Sequence, residues 1–141
     1  MNSANRKNPN VFDTNHSGLN PLIAENFVGD SPLTNYEAYI PIFDALSHPV
    51  RIKIVGILAE GRQYVSELAR LVNISRPLLY MHLKKLETAR LVTSAMELSD
   101  SGKAMKYYAL SDFELRISKE LLAILAREIV VENPAEKSER H

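Results

Sequence analysis

The chain has 141 residues, which is enough for one domain with a modest hydrophobic core. Its 17 basic and 17 acidic residues cancel, so net charge alone indicates no polyanionic partner. The absence of cysteine excludes disulfides, thiolate metal sites and thiol-based redox sensing. The most apolar stretch, residues 121–131, is interrupted by Arg127 and Glu128 and is too short to cross a bilayer. We therefore expect a cytoplasmic protein with no membrane contact.

Both ends of the chain are predicted to be poorly ordered. Asparagine and proline recur through residues 1–33 without a helical or strand period, and residues 133–141 are polar. A few apolar side chains of the first segment, such as Ile23 and Phe27, could still dock on a neighbouring surface. We expect a tail over residues 1–33, a folded domain over residues 34–132 and a polar tail over residues 133–141.

Two helices are predicted at the start of the folded domain. Residues 34–37 (TNYE) have the pattern of a capping box and predict a helix over residues 34–46. Pro41 lies inside this helix, which favours a kink or a later start. Ser47 is predicted to cap a second helix over residues 49–59.

Residues 63–89 contain two amphipathic helical patterns around a short polar joint. After a short β-prone stretch, the first helix is predicted over residues 66–72 and the second begins at Ser75, a good N-cap residue. Asn73 tolerates the left-handed backbone that a tight joint requires. The second helix places three leucines on one inward stripe: Leu79, Leu83 and Leu86. Two helices around such a joint are typical of a helix-turn-helix.

A hairpin and a last helix are predicted after this motif. Residues 91–98 and 103–110 are strand-like and are separated by a turn cluster at residues 99–102. Residues 111–114 (SDFE) have the pattern of a second capping box and predict a helix over residues 112–132. This helix is apolar nearly all round, so it needs partners on two sides, and a second subunit is the natural candidate for one of them.

The order of these elements predicts a mainly α (α+β) fold, a winged helix-turn-helix domain. The helix-turn-helix spans residues 63–89, a two-stranded hairpin wing spans residues 91–110, and the flanking helices over residues 34–46 and 112–132 hold two subunits together. The residues expected at the dimer interface are Tyr36, Tyr39, Phe43, Leu121, Leu122, Leu125 and Ile129.

The second helix of the motif is predicted to enter the major groove of double-stranded DNA. From residue 75 to 106 the chain has six basic and three acidic residues, a local excess that suits phosphate contact. The candidate DNA-binding residues are Ser75, Arg76, Pro77, Leu78, Tyr80, Met81, His82, Lys84, Lys85, Lys103 and Lys106. We expect Arg76 to read guanine, and Lys103 and Lys106 to contact the DNA backbone.

Three apolar residues on this helix have two possible roles. Leu78, Tyr80 and Met81 can complete the core against the hairpin, or they can contact thymine methyl groups and phosphates. The helical angle favours the DNA side for Tyr80 and Met81, and it leaves Leu78 open between the two roles.

Several short motifs occur in the order and spacing of one known family. They are residues 45–51 (ALSHPVR), 58–61 (LAEG), 66–69 (SELA), Ile74-Ser75, 82–86 (HLKKL) with Ala89 and Leu91-Val92, and Tyr107-Tyr108 before Leu110. In these motifs, over roughly residues 40–111, the chain resembles the ArsR family of prokaryotic winged-helix repressors. The resemblance implies a homodimeric repressor that binds operator DNA and releases it when a metal ion or another signal arrives.

The metal-sensing part of the family pattern is missing. Family metal sensors often carry two cysteines near the start of the third helix, where this chain has Tyr64 and Ser66. Another family site uses Asp and His on the last helix, and residues 112–132 contain no histidine. The four histidines are far apart in sequence, and His82 is interpreted as a structural residue or a phosphate contact. We expect no metal and no cofactor, and the effector stays open.

Two other classes of function are alternatives to DNA binding. The apolar character of Leu78, Tyr80 and Met81 would also suit a winged-helix module that binds a protein partner instead of DNA. An enzyme is disfavoured, because the sequence has no nucleophile–base pattern, no phosphate-cradling glycine loop and no clustered carboxylates.

Overall fold

The computed structural model describes residues 20–135. Its helices are α1 (Pro21–Ala24), α2 (Tyr36–Ala45), α3 (Pro49–Ala59), α4 (Val65–Val72), α5 (Arg76–Thr88) and α6 (Lys119–Glu128). Its strands are β1 (Phe27–Val28), β2 (Ser31–Pro32), β3 (Gln63–Tyr64), β4 (Val92–Leu98), β5 (Ala104–Leu110) and β6 (Phe113–Glu114). Helices α3, α4 and α5 followed by the β4–β5 hairpin form a winged helix-turn-helix, which confirms the predicted fold class.

The wing is the long hairpin of a three-stranded antiparallel sheet. The strand order is β3-β5-β4, so the short strand β3, just before the helix-turn-helix, pairs with the inner strand of the wing. Val92 pairs with Leu110 at the base and Leu98 pairs with Ala104 near the tip. Gly102 takes a φ of 85° in the connecting turn, a conformation in which a side chain would be strained. This pairing fixes the wing beside the second helix of the motif.

The predicted tail differs from the structure over residues 20–33, where the chain packs against the domain. Residues 1–19 lie outside the described part. The apolar residues of this segment that are buried are Ile23, Val28 and Leu33. Asn26 is fully buried, and its amide nitrogen donates to the Tyr39 hydroxyl at 2.8 Å while its oxygen accepts from the Arg116 backbone N–H at 2.6 Å. The elements here are only two to four residues long, too short to show a period.

The caps of α2 and α3 are each one residue later than expected. Asn35, rather than Thr34, caps α2 by accepting from the Ala38 N–H at 3.0 Å. His48, rather than Ser47, caps α3, because its Nδ1 accepts from the Val50 N–H at 3.1 Å. Helix α2 continues through Pro41 from its start at Tyr36, so the later start is not observed.

The prediction of a last helix over residues 112–132 is wrong in its limits. Residues 113–114 form β6, which pairs with β1 in a second small sheet of order β2-β1-β6. The helix begins only at Lys119, where Ser118 caps it by accepting from the Leu121 N–H at 3.1 Å, and it ends at Glu128. The last two residues of the apparent capping box at residues 111–114 form a strand, because they pair with β1 of the N-terminal segment.

The same packing corrects part of the predicted dimer interface. Tyr39, Leu121 and Leu125 lie in the core of the single chain, so they cannot form a surface. Leu122 and Ile129 stay exposed, at 47% and 41% of their side-chain surface. The remaining two predicted residues, Tyr36 and Phe43, are half-buried against the core.

Replacing Asn26 with alanine should lower the free energy of unfolding by about 1–3 kcal/mol, because it leaves the Tyr39 hydroxyl and the Arg116 N–H without their partner. Urea unfolding followed by circular dichroism measures this loss. Asn133→Ala is the matched control, since Asn133 is exposed and bonds only to nearby backbone. Equal stability of the two variants would show that the N-terminal segment is not anchored through Asn26.

Candidate nucleic-acid interface

The joint between α4 and α5 is a three-residue turn over residues 73–75. Asn73 has φ 68° and ψ 48°, the left-handed conformation expected for it, and its N–H bonds back to the Ala69 carbonyl at 2.8 Å. Ser75 then caps α5 by accepting from the Leu78 N–H at 3.3 Å. Both local signals in the sequence therefore have the structural role predicted for them, and they set the angle at which α5 leaves the turn.

Helix α5 has a fully buried face and a fully exposed face. Leu79, Leu83 and Leu86 are buried, as their spacing predicted. The residues on the opposite side, which recur at helical spacing and are all exposed, are Pro77, Met81, Lys84 and Thr88. We call these four residues the outer stripe of α5. Ser75 is also exposed, at the start of the helix.

The structure places none of the three ambiguous apolar residues in the core. Met81 is 66% exposed on the outer stripe, and Tyr80 and Leu78 are 42% and 39% exposed on its two flanks. Tyr80 lies on the side of the wing, close enough for its hydroxyl to interact electrostatically with Lys106 and Tyr108. The interpretation that these side chains complete the core against the hairpin is therefore wrong for all three.

His82 is buried, which fits its interpretation as a structural residue and contradicts its alternative assignment as a DNA contact. Its Nδ1 lies 3.1 Å from Nη1 of Arg51, and its ring packs against the ring of His48 with centroids 4.7 Å apart. A guanidinium only donates, so His82 Nδ1 accepts and the ring proton sits on Nε2. The residue connects α5 to α3 instead of facing outward.

Arg51 joins three helices at one point, a role that the sequence reasoning missed. Its Nε donates to the Ala45 carbonyl at 2.8 Å and its Nη2 to the Asp44 carbonyl at 3.2 Å, at the C-terminal end of α2. With its bond to His82, the side chain ties α2 and α3 to α5. The signal available in the sequence was an arginine among apolar residues of a helix, since a buried arginine requires partners.

Lys85 is already engaged within the chain. Its Nζ lies 2.9 Å from a carboxylate oxygen of Asp44, and this hydrogen bond and charge lower the pKa of that carboxyl. Both side chains are about half exposed, so the pair contributes little to stability. The pair nevertheless places the negative charge of Asp44 beside Lys85. Lys85 is therefore less suited to binding a DNA phosphate than the sequence analysis predicts.

The other cations of the region differ in how far they are paired. Within residues 20–135 the side chains of Arg76, Lys84 and Lys103 form no ion pair. Lys106 lies above the Tyr108 ring, with its Nζ 5.4 Å from the ring centroid. Among the described residues, Arg76 and Lys84 on α5 and Lys103 on the wing therefore offer unpaired positive charge where a polyanion would meet both elements.

Among residues 20–135 no group of three or more His, Cys, Asp or Glu side chains is placed to hold a metal ion. No helix in that range is long and apolar enough to span a membrane.

Comparison with known proteins identifies the family. A family model described as "Bacterial regulatory protein, arsR family" matches residues 48–94. An uncharacterized HTH-type transcriptional regulator of Methanocaldococcus jannaschii is 40% identical over 79 residues, which are 56% of this chain and 82% of that protein. An HTH-type transcriptional regulator of Mycobacterium tuberculosis is 43% identical over 60 residues, which are 43% of this chain and 56% of that protein.

The solved structures that match part of this chain include proteins from Vibrio cholerae and Mycobacterium bovis. HlyU from Vibrio cholerae is 22% identical with a TM-score of 0.47, and the match covers 66% of this chain and 89% of that one. A homodimeric winged helix-turn-helix DNA-binding domain from Mycobacterium bovis is 17% identical with a TM-score of 0.47, covering 66% and 76%.

The chain is a winged helix-turn-helix transcriptional regulator, the class that its fold and its relatives define. It belongs to the ArsR family. Members of this family regulate transcription and are not enzymes in general.

Stability should decrease as the pH falls below about 6.5, the ordinary pKa of histidine. Burial, together with His48 and the charge of Arg51, lowers the pKa of His82 in the folded chain. The unfolded chain therefore takes up a proton first, and acid favours unfolding. Urea unfolding at pH 7 and pH 5 measures the effect, and His82→Asn, which keeps an acceptor near the position of Nδ1, should flatten it.

His48→Asn is the matched control for this prediction. Asparagine retains the capping acceptor at the start of α3 and leaves His82 to titrate, so the acid sensitivity should persist. If wild type and His82→Asn lost the same stability between pH 7 and pH 5, His82 would not be the group that responds to acid.

Proposed function

We propose that the protein is a homodimeric, sequence-specific regulator that binds double-stranded DNA through α5 and the wing and represses transcription. The observation that carries this proposal is the exposed outer stripe of α5 with unpaired cations beside it. DNA binding and transcription regulation are functions of the family, whereas repression follows from the resemblance alone.

The dimensions and chemistry of α5 suit a major groove. Its 13 residues extend about 20 Å, and a major groove about 12 Å wide admits one helix. Met81 offers an apolar contact to thymine methyl groups, and Lys84 offers a donor to guanine or phosphate. Tyr80 lies on the flank nearest the wing, where its hydroxyl suits a phosphate.

Exposed apolar side chains on α2 and around α6 support a dimer. The residues of this surface are Ile40, Ile117, Leu122, Ile129, Val130 and Val131. Helices α2 and α6 are in contact, and the Glu128 carboxylate accepts a bond from the Tyr36 N–H at 2.8 Å across them. Such a surface is best covered by a second copy, since one copy offers the same apolar side chains to the other. A dimer would present two α5 helices to half-sites about 34 Å apart.

Substitutions on the outer stripe should separate sequence preference from general DNA affinity. Met81→Ala should reduce binding to the preferred duplex by a factor corresponding to about 1–3 kcal/mol, with a smaller effect on an unrelated duplex. Lys84→Gln should weaken binding and make it less steeply dependent on salt. Fluorescence anisotropy measures both, using a duplex enriched by the protein from genomic fragments and an unrelated one.

Lys119→Gln is the control, because Lys119 is an exposed lysine at the start of α6, away from α5. It should bind both duplexes as wild type does. Sequence-specific binding through α5 would be contradicted if wild type bound the two duplexes with equal affinity. It would also be contradicted if the affinity of wild type did not change with salt.

Leu122→Glu should convert the dimer into a monomer, because it places a charge in the apolar surface of α6. Light scattering gives the molar mass directly. Leu98→Glu is the control, since Leu98 is at least as exposed but lies on the wing. A monomeric wild type, or a Leu122→Glu variant that remains dimeric, would exclude this surface as the interface.

A second candidate function is a protein-interaction module without DNA binding. The exposure of Leu78, Tyr80 and Met81 favours it, since such side chains also suit a protein partner. Titration against random duplex at low salt separates the two functions. No binding there would favour the interaction module, whereas salt-sensitive binding would exclude it.

A further inference from the structure

A small cleft opens where the start of α4, the start of α5 and the wing meet. Its volume is about 120 Å³. The side chains that matter for its chemistry are Tyr64, Ser66, Arg76, Lys103, Met105 and Lys106. Three of these six are cations, two carry a hydroxyl (Tyr64 and Ser66), and no carboxylate lines the cleft. We call it the α4–wing cleft.

The position of Arg76 on α5 explains why it lines this cleft. Successive helix residues are rotated by about 100°, so Arg76 lies well away from Met81 and toward the side of the wing. It is exposed, and the structure assigns it no ion pair within residues 20–135. Its guanidinium is therefore available to a ligand in the cleft, and it does not lie on the outer stripe of α5.

The wing supplies the other two cations from fixed positions. Lys103 follows the turn directly, and its N–H donates to the Ser99 hydroxyl at 3.1 Å, which fixes the backbone there. Lys106 lies over the Tyr108 ring, with its Nζ 5.4 Å from the ring centroid, and its interaction with Tyr108 is the largest cause of its raised pKa. Lys106 therefore stays charged at neutral pH.

Three positive charges in one cleft repel one another unless an anion lies between them. An anion with several acceptor oxygens can accept hydrogen bonds from Arg76, from the two lysines and from the Ser66 hydroxyl together. Ser66 is the second residue of α4, so its hydroxyl lies beside the first backbone N–H groups of a helix that no side chain caps. A phosphate group has the charge and the oxygens that this arrangement requires.

We propose that the α4–wing cleft binds a phosphate group through Arg76, Lys103 and Ser66, with Lys106 adding charge at its edge. The proposal deepens the proposed function and rests on it for the source of the phosphate, a phosphodiester of the DNA backbone. A free phosphate is the other source of the same chemistry. Arg76 is then a phosphate contact and does not read guanine, which reverses the role expected from the sequence.

The first test compares two duplexes, the preferred one and an unrelated one, by anisotropy at several salt concentrations. For each variant, Arg76→Gln and Lys103→Gln, the loss of affinity should be the same on the preferred duplex as on the unrelated one. Each variant should also reduce the slope of log affinity against log salt concentration by about 1. Lys119→Gln is the control and should change neither. If Arg76→Gln lost affinity for the preferred duplex alone, or if neither variant changed affinity, the phosphate site would be excluded.

The second test identifies the source of the phosphate. Inorganic phosphate is titrated at constant ionic strength while the amide resonance of Ser66 is followed by NMR, in wild type and in the variant Arg76→Gln/Lys103→Gln. A saturable shift in wild type alone would make free phosphate a ligand. No shift, combined with the uniform losses on DNA, would assign the site to the DNA backbone. Thermal melting confirms that both exposed substitutions leave the fold intact.

The two proposals fail in different ways. If wild type binds duplex and neither Arg76→Gln nor Lys103→Gln changes that affinity, the proposed function stands and the phosphate site is overturned. A wild type that binds no duplex but shows the phosphate shift, lost in the double variant, overturns the proposed function and supports the site. A wild type that binds neither overturns both.

Discussion

One buried arginine joins the helices that hold the outer stripe of α5 in place. Arg51 donates to two carbonyls at the end of α2 and to His82 on α5, so three helices are held at a single point. A buried guanidinium is costly without partners, and here two of its bonds go to the end of α2 and one goes to α5. Because His82 is buried together with the leucines of α5, the opposite side of this helix faces solvent.

The distribution of charge follows from the same packing. Asp44 ends α2 beside α5, where it engages Lys85, so the side of α5 nearest α2 is largely neutralised. The wing side has no such carboxylate along the α4–wing cleft, and Arg76 and Lys103 remain unpaired in the described residues. A protein with no net charge thus acquires a cationic surface by where its ion pairs form. The cations available to DNA are those that the fold does not use itself.

The sequence predicted what depends on near neighbours and failed where distant segments meet. The Asn73 and Ser75 turn, the leucine stripe of α5 and the hairpin are local, and the structure has all of them. The strand at residues 113–114 needs β1, more than 80 residues earlier, and no local pattern could distinguish it from a capping box. His82 lies on the same side of α5 as the buried leucines, so of its two interpretations the structure supports the structural one and not the phosphate contact.

The most direct test of the account is whether Met81 contacts DNA. The protein contains four methionines, so ¹³C-methyl labelling of methionine gives few resonances, and Met81→Leu assigns the one that matters. The outer stripe should enter the major groove, so the Met81 methyl resonance should shift saturably as the preferred duplex is added, with the same midpoint as anisotropy. An unchanged Met81 resonance at saturating DNA would contradict the placement of α5 in the groove.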